Sequence, residues 1–360
     1  MILTRLQIRQ LRCLVDAELV PQAGLNVLVG ANGAGKSSVV EALHLLGYGR
    51  SFRGRVADGL IRTGAQHLEV YAEWLDGAGV GHRAGLRHAG SRWEARLDGE
   101  PAPSLTELCA RIAVVTFEPG SHDLIGGGAE HRRRYLDWGL FHVEPAFLPH
   151  WRRYARALKQ RNALLKAGPS PAALAPWEAE LADSGERLTR LRQAYLERLE
   201  VSVAGEARAF LPELGAARLD FRPGWRREEL PLADALLLGR ERDQALGYTG
   251  VGPHRADWRV EFAGLPGREA LSRGQEKLTA LACILGQARD FAGQTGDWPL
   301  VCLDDLASEL DRPHQAQVLA AVLGSGAQVL LTGTQVPDVL HEPAADYRLF
   351  HVEQGRVRAA

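Results

Sequence analysis

The sequence predicts an α/β head interrupted by a mostly helical insertion, and three observations predict it. Short apolar runs separated by turns fill the first third of the chain. From Gly126 to about Gly247 the texture becomes helical, and from "WRVEF" (258–262) strand and helix alternation returns. The implied boundaries are 1–120 together with 248–360 for a discontinuous head, and 121–247 for a helical arm.

The elements follow in order. "LTRLQIR", "LNVLVG", "HLEVYAEWL" and "RWEARL" alternate or run apolar at strand length, and "IAVVTF" (112–117) reads as a buried strand. In the insertion, Trp151, Tyr154, Ala155, Leu158 and Leu165 fall on one helix face. After the break "GPSP", Trp177, Leu181, Leu188, Leu191, Tyr195 and Leu199 make a longer stripe. Two helices, 147–166 and 177–210, make a short arm, since a long coiled coil needs sustained heptads. "WPLVCLDD" and "AQVLLTG" then supply two more buried strands.

Composition sets the frame. With 360 residues, 46% of them hydrophobic, the chain can bury a large core in one or two domains. No run reaches the roughly 18 apolar residues of a membrane span, and Arg5 and Arg9 interrupt any leader-like core. Cys13, Cys109, Cys283 and Cys302 share no metal or CxxC spacing, which fits a reducing, cytoplasmic setting. A net charge of −1 predicts no polyanion partner by itself, but between His131 and Lys166 nine Lys or Arg face only Asp137 and Glu144. Lysine occurs only at 36, 159, 166 and 277, so a lysine in this arginine-rich chain is informative.

"LNVLVGANGAGKSSVVEALHLLG" carries the strongest chemistry. Gly30-x-x-x-x-Gly35-Lys36-Ser37 stands between an apolar strand and a helix, the context a phosphate-binding loop requires. Glycines let successive backbone N–H groups turn toward one anion, and the helix start adds its positive end. Gly30, Ala31, Asn32, Gly33, Ala34, Gly35, Lys36, Ser37 and Ser38 are the nucleotide-binding candidates. Lys36 serves the β and γ phosphates and catalysis, and the Ser37 hydroxyl is a Mg²⁺ ligand. At the end of "PLVCLDD", Asp304 is the metal-side carboxylate and Asp305 the candidate base for an attacking water. With no Asn-Lys-x-Asp motif for guanine, the expected cofactors are ATP and Mg²⁺.

"LSRGQ" (271–275) reads first as a plain helix N-cap. Beside a phosphate loop and a carboxylate strand it resembles the LSGGQ signature of ABC-type ATPases. That resemblance implies that Ser272, Arg273, Gly274 and Gln275 face a nucleotide held by a partner subunit. "ASELD" (307–311) resembles the D-loop of the same dimer face. The expected fold is therefore an ABC-type P-loop ATPase head of mixed sheets and helices, with an inserted helical arm.

Longer runs narrow the resemblance. "GYGRSFRG", "HRRRYLDWGLFHVEP" and "YTGVGPHRADW", with "LVGANGAGKSS" and "CLDDLASELD", closely resemble the RecF family of bacterial recombination-repair ATPases, over about residues 2–350. The resemblance implies a cytoplasmic protein that dimerises with ATP and binds single- and double-stranded DNA at gaps. It implies action with RecR and RecO to help RecA replace single-strand-binding protein, in replication, repair and the SOS response. It also implies weak, DNA-dependent ATP hydrolysis. The other reading is an ABC-type subunit of a transporter or an SMC-like chromosome complex. Three departures from the wider ABC pattern point to slow turnover. Asp305 stands where Glu is usual, "FEPGSHD" has no Q-loop Gln, and Gly333 or Thr334 stands where a switch His is usual.

For DNA the sequence offers Arg132, Arg133, Arg134, Arg152, Arg153 and Arg156, with Lys159 and Arg161 in the same run. A solvated helix face, or arginines paired to acids elsewhere, would read the same way. Arg50, Arg53 and Arg55 form a smaller cluster after the loop helix, and Arg12 precedes the loop strand where relatives of that class contact nucleotide.

Overall fold

The computed structural model describes residues 1–54, 59–168, 170–265, 271–341 and 346–360. The chain opens with β1 (Ile2–Leu11), β2 (Leu14–Leu19) and β3 (Leu25–Val29), and then α1 (Lys36–Tyr48). β4 (Leu68–Leu75), β5 (Gly81–Ala89), β6 (Arg92–Leu97), β7 (Glu100–Pro101), α2 (Leu105–Arg111) and β8 (Val114–Phe117) follow. The middle holds α3 (Asp123–Gly126), α4 (Ala129–Val143), α5 (Phe147–Ala167), α6 (Pro171–Phe210), β9 (Ala217–Arg222), α7 (Leu232–Leu238), α8 (Arg240–Leu246) and β10 (Asp257–Phe262). α9 (Arg273–Thr295), β11 (Leu300–Leu303), α10 (Leu306–Glu309), α11 (Arg312–Leu323), β12 (Val329–Gly333), β13 (Tyr347–Glu353) and β14 (Arg356–Ala359) complete it.

Internal contacts gather these elements into two compact units, Met1–Ser121 with Leu281–Ala360, and His122–Ala280. Residues 248–280, expected with the head, belong by contacts to the second unit. The reason is β10, which pairs along its whole length with β9, from Asp257 opposite Arg222 to Phe262 opposite Ala217.

In the first unit, two six-stranded sheets divide the work. One is antiparallel, ordered β2-β1-β4-β5-β6-β7, and its strands alternate buried and exposed residues as a sheet with one wet face must. The other is ordered β14-β13-β3-β12-β11-β8, with β13, β3, β12, β11 and β8 parallel. β3, β11 and β12 are buried at every residue, the continuous apolar pattern of parallel strands covered on both faces. Leu28, Val39, Leu43, Leu46 and Val114 join one core across α1 and the sheets. Each such side chain contributes about 1.5–3 kcal/mol on burial. Gly49, in the left-handed region at φ 65°, ends α1 by donating its N–H to Leu45 O.

In the second unit, α5 and α6 pack on one another, and α6 runs for 40 residues. It begins at Pro171, six residues before the expected start. Proline is at ease in a first helical turn, where no N–H is needed, and the helix continues through Pro176. Among the described residues no helix is long and apolar enough to cross a membrane.

Candidate nucleotide site

β3 ends at Val29 and α1 begins at Lys36, so the Gly30–Gly35 loop spans the C-terminal end of a central parallel strand. Open α/β sheets bind ligands at that end. Gly35 turns the loop into α1 at φ 119°, and a side chain there would meet Leu14 Cδ2 at 2.7 Å. Lys36 Nζ donates to Gly30 O (2.8 Å) and Ala31 O (3.0 Å), which folds the lysine over its own loop. An ammonium has three donors, so one remains for a phosphate oxygen.

Two neighbouring turns hold this loop. The β1–β2 turn brings the Cys13 Sγ to 4.0 Å from Ser38 Oγ. The β13–β14 turn donates the Gly355 N–H to Ala34 O (3.1 Å) and accepts from the Val15 N–H (3.3 Å). Gly355 has φ 76°, and a Cβ there would lie 2.2 Å from Cys13 O. Replacing Gly355 by Ala is therefore expected to cost on the order of 2–3 kcal/mol, from left-handed strain plus the clash. Urea unfolding measures that cost. Nucleotide titration of the still-folded fraction should show weakened binding, because the strand end that buttresses the loop has moved.

One strand separates the loop strand from the carboxylate strand, in the order β3-β12-β11. Asp304 is buried, and its Oδ1 accepts from Thr332 Oγ1 at 2.7 Å. Burial raises its pKa, opposed by hydrogen bonds from Thr332 and Ser37 and by the positive charge of Arg53. Ser37 thus lies near enough to act on Asp304, and a desolvated carboxylate near a hydroxyl would suit a Mg²⁺. Asp305 lies in the left-handed region (φ 54°, ψ 41°), and its N–H donates to the same Thr332 oxygen at 3.0 Å. Thr332 therefore holds the Asp304 carboxylate and the Asp305 backbone at once. The sequence reading missed it; the only signal was a polar residue at the end of "QVLLTG".

The missing Q-loop glutamine has a neighbour in its place. β8 and β11 pair in parallel with Phe117 opposite Leu303, which sets Glu118 beside Asp304. Its Oε2 accepts the Gly120 N–H at 2.6 Å, bending the carboxylate onto its own turn. Arg12 is tied to the fully buried Glu41, with Nη2 to Oε1 at 2.8 Å and Nε to Oε2 at 3.1 Å, and Ser51 Oγ donates to the same carboxylate. Arg53 acts electrostatically on Asp304, which connects it with this site. Arg55 lies outside the described residues.

The second unit carries the signature run. Ser272 and Gln275 form a reciprocal capping box: the Ser272 N–H donates to Gln275 Oε1 (3.0 Å), and Ser272 Oγ accepts the Gln275 N–H (3.3 Å). The hydroxyl is thus only an acceptor within its own helix, and its hydrogen can serve an outside anion. Ser272, Arg273 and Gly274 are exposed.

The arginines divide sharply. Arg132 is buried, pairs with Asp257 at 2.6 Å and donates to the carbonyls of Ile125 and Gly127, so it is part of the unit's frame and not a surface for DNA. Arg133 donates to Ala256 O at 2.8 Å. Arg153 is exposed but clamped by Glu180 (2.6 and 2.9 Å) and Asp183 (3.0 Å). Arg161 is fully buried against Glu178 and Asp243. Arg134, Arg152, Arg156 and Lys159 are exposed and make no salt bridge with a described residue.

The two motifs outside the general ABC pattern meet within this unit. Arg132 pairs with Asp257, and Asp137 takes two bonds of 2.9 Å from Arg192, which also donates to Pro253 O. His254 sits between Tyr154 Oη (2.7 Å) and Thr249 O (2.9 Å), and burial lowers its pKa to about 4. A neutral imidazole that gives Nε2–H to Thr249 O must accept from the tyrosine at Nδ1.

Strand order, loop and acid pair together define a P-loop ATPase head of the ABC type. The AAA domain family matches residues 5–72. The chain is 60% identical over 357 residues to the DNA replication and repair protein RecF of Xanthomonas axonopodis pv. citri (strain 306), covering 98% of this chain and 97% of that one. A solved structure of the recombination mediator RecF with ATP, in the RecFOR pathway, superposes with a TM-score of 0.89 at 25% identity, covering 100% of this chain and 97% of that one. An Smc head bound to the C-terminal winged-helix domain of ScpA has a TM-score of 0.62 at 15% identity, over 100% and 97% of the two chains, and shares the fold. The chain belongs to the RecF family of DNA replication and repair proteins.

Proposed function

We propose that this protein is an ATP-dependent DNA-binding repair factor, in which nucleotide governs assembly and slow hydrolysis resets it. The observation that carries the reading is the site of the first unit: Lys36 folded over its loop, with the carboxylate strand that leads into Asp304 one strand removed from the loop strand. Its full-length likeness to RecF proteins, one of them solved with ATP, supports the same reading. A transporter or chromosome-complex role is not the one these relatives favour.

ATP is the nucleotide, and Ser37 and Asp304 would hold a Mg²⁺ that would neutralise phosphate charge. Lys36 orients the β and γ phosphates, and Asp305 receives the proton of the attacking water. Ser272, Arg273, Gly274 and Gln275 close the site of a second copy in an ATP-dependent homodimer. The head is discontinuous in sequence, with the helical segment inserted. Partners follow the family: gapped DNA, RecR and RecO, and indirectly RecA, in the cytoplasm.

For DNA, the exposed cations without salt bridges carry the proposal: Arg134, Arg152 and Arg156, with Lys159 on the Arg152–Arg156 helix face. Arg152→Ala with Arg156→Ala is expected to weaken binding without altering sequence preference. It should flatten the slope of log K against log salt by about 1.8, at roughly 0.9 per lost duplex phosphate contact. Arg153→Ala, whose cation already serves Glu180 and Asp183, should leave the slope in place. Filter binding across a salt series, with and without ATP, tests the assignment. An unchanged slope in the folded double variant moves the interface elsewhere.

A further inference from the structure

The small sheet of the second unit leaves one strand edge open. β9 pairs with β10 on one side and with no described strand on the other. Two hydrogen bonds fix which backbone groups face outward. The Ala263 N–H donates to Ala216 O at 2.9 Å, so in an antiparallel ladder residues 216, 218, 220 and 222 turn toward β10. The Leu219 N–H instead donates to Glu200 Oε2 at 2.7 Å, away from β10. Phe221 has the parity of Leu219, so its N–H and C=O lie on the open edge as well.

A groove of about 670 Å³ runs along this edge, with Leu196, Leu219 and Phe221 among the apolar residues that line it and Glu197, Glu200 and Glu228 among the acids. Its lining carries four acids, Glu197, Glu200, Asp220 and Glu228, against one arginine. Arg227 also lines the groove, but its guanidinium serves Gln193 Oε1 (2.8 Å) and Glu186 Oε2 (3.4 Å). Asp220, a further acid of the lining, pairs with Arg222 at 3.0 Å. Among the described residues Glu197 receives only the Gln193 amide (3.0 Å), and Glu228 makes no salt bridge.

We propose that this edge docks an extended, Lys- or Arg-bearing segment of a protein partner, which adds as a third strand beside β9. An open edge supplies main-chain hydrogen bonds, and alternating side chains of an added strand reach an apolar floor and an acidic rim in turn. Charge selects the occupant. DNA phosphates would meet these carboxylates, and two copies of the same edge would bring their acids together. Glu200 holds the Leu219 N–H where a partner carbonyl would sit, and can swing to an incoming cation.

The test uses the full chain and a fluorescein-labelled acetyl-Lys-Val-Lys-Val-Lys-Val amide, read by fluorescence polarisation and by amide exchange. Saturable binding, at least tenfold weaker in Glu197→Lys with Glu228→Lys, is the expected result, with slowed exchange at the Phe221 amide. A Glu-Val peptide of the same length should not bind. Both substituted acids are exposed, and circular dichroism confirms that the variant is folded. Absence of saturable binding overturns the proposal, as does binding indifferent to the two substitutions or without protection at Phe221. Protection of Phe221 by self-association alone assigns the edge to a second copy and equally overturns it.

Discussion

Mixing Lys36→Met protein with Ser272→Arg protein is expected to restore ATP turnover that neither variant has alone. The two residues lie in different compact units of the chain, Lys36 in the first and Ser272 in the second. Lys36 keeps one donor beyond its two loop carbonyls, and Ser272 keeps its hydroxyl hydrogen beyond its cap. Losing a preorganised donor to transferring phosphate costs on the order of 10²–10³ in rate. Each homodimer loses that at both sites. In a two-fold mixed dimer one site carries both substitutions and the other carries neither. Random pairing of equal amounts then restores roughly a quarter of wild-type sites. Steady-state phosphate release from mixtures of varied ratio measures this. A mixture no better than its components would mean that Lys36 and Ser272 serve the same site in one chain, or that Ser272 only caps its helix. Sedimentation with ATP separates those outcomes, since a pure capping role leaves the Ser272→Arg dimer intact.

The candidate site of the first unit can be proposed from sequence because its chemistry is local. Six residues from Gly30 to Gly35, a lysine and a serine between strand and helix suffice to specify a phosphate loop, and Asp304 and Asp305 mark the end of an apolar run. What supports them is not local. Thr332 holds the Asp304 carboxylate and the Asp305 backbone from another strand, and Gly355 braces the loop from the last hairpin. Neither can be found before the strand order is known.

In the second unit the sequence misled for a definite reason. A run of arginines looks alike whether it faces water or acids far along the chain. Arg132 finds Asp257 at a separation of 125 residues, and Arg161 finds Asp243 at 82. "RRRYLDWG" and "GPHRAD" stand out in the sequence as runs that carry the family resemblance. Together they are one buried lattice of Arg132–Asp257, Arg192–Asp137 and Tyr154–His254. Strand β9 was missed as well, since "ARLDFR" is short and charged and makes sense only against "DWRVEF". The sequence also placed β10 with the head, whereas its pairing partner lies in the helical segment.

Asp305→Asn protein is expected to bind ATP and dimerise, yet to hydrolyse on the order of a hundredfold more slowly than wild type, at the lower end of what a general base contributes. The substitution is close to a pure test of the carboxylate. Asp305 sits at φ 54°, a conformation that Asn tolerates as well as Asp, and its backbone N–H to Thr332 is untouched. Binding should survive because Lys36, Ser37 and Asp304 are unchanged. The wild-type rate itself should be low. Aspartate is one methylene shorter than the usual Glu, and a base must come within about 3 Å of its water. A misplacement of about 1 Å costs on the order of a hundredfold. Glu118, beside Asp304, accepts the Gly120 N–H, and as a carboxylate it lacks the amide donor a glutamine would bring. Asp305→Glu offers the converse, but a longer side chain in a left-handed position strains the start of α10, so any gain in reach is partly offset. Single-turnover hydrolysis of radiolabelled ATP, with dimer lifetime followed on DNA, measures all three proteins. The Asn variant should persist as a DNA-bound dimer, while Lys36→Met alone, spoiled at both sites, should show a dimer on DNA that is short-lived. Normal hydrolysis by Asp305→Asn would move the base to another residue, with Glu118 the first to test. A wild-type rate above a few per second would end the account of ATP as a slow switch.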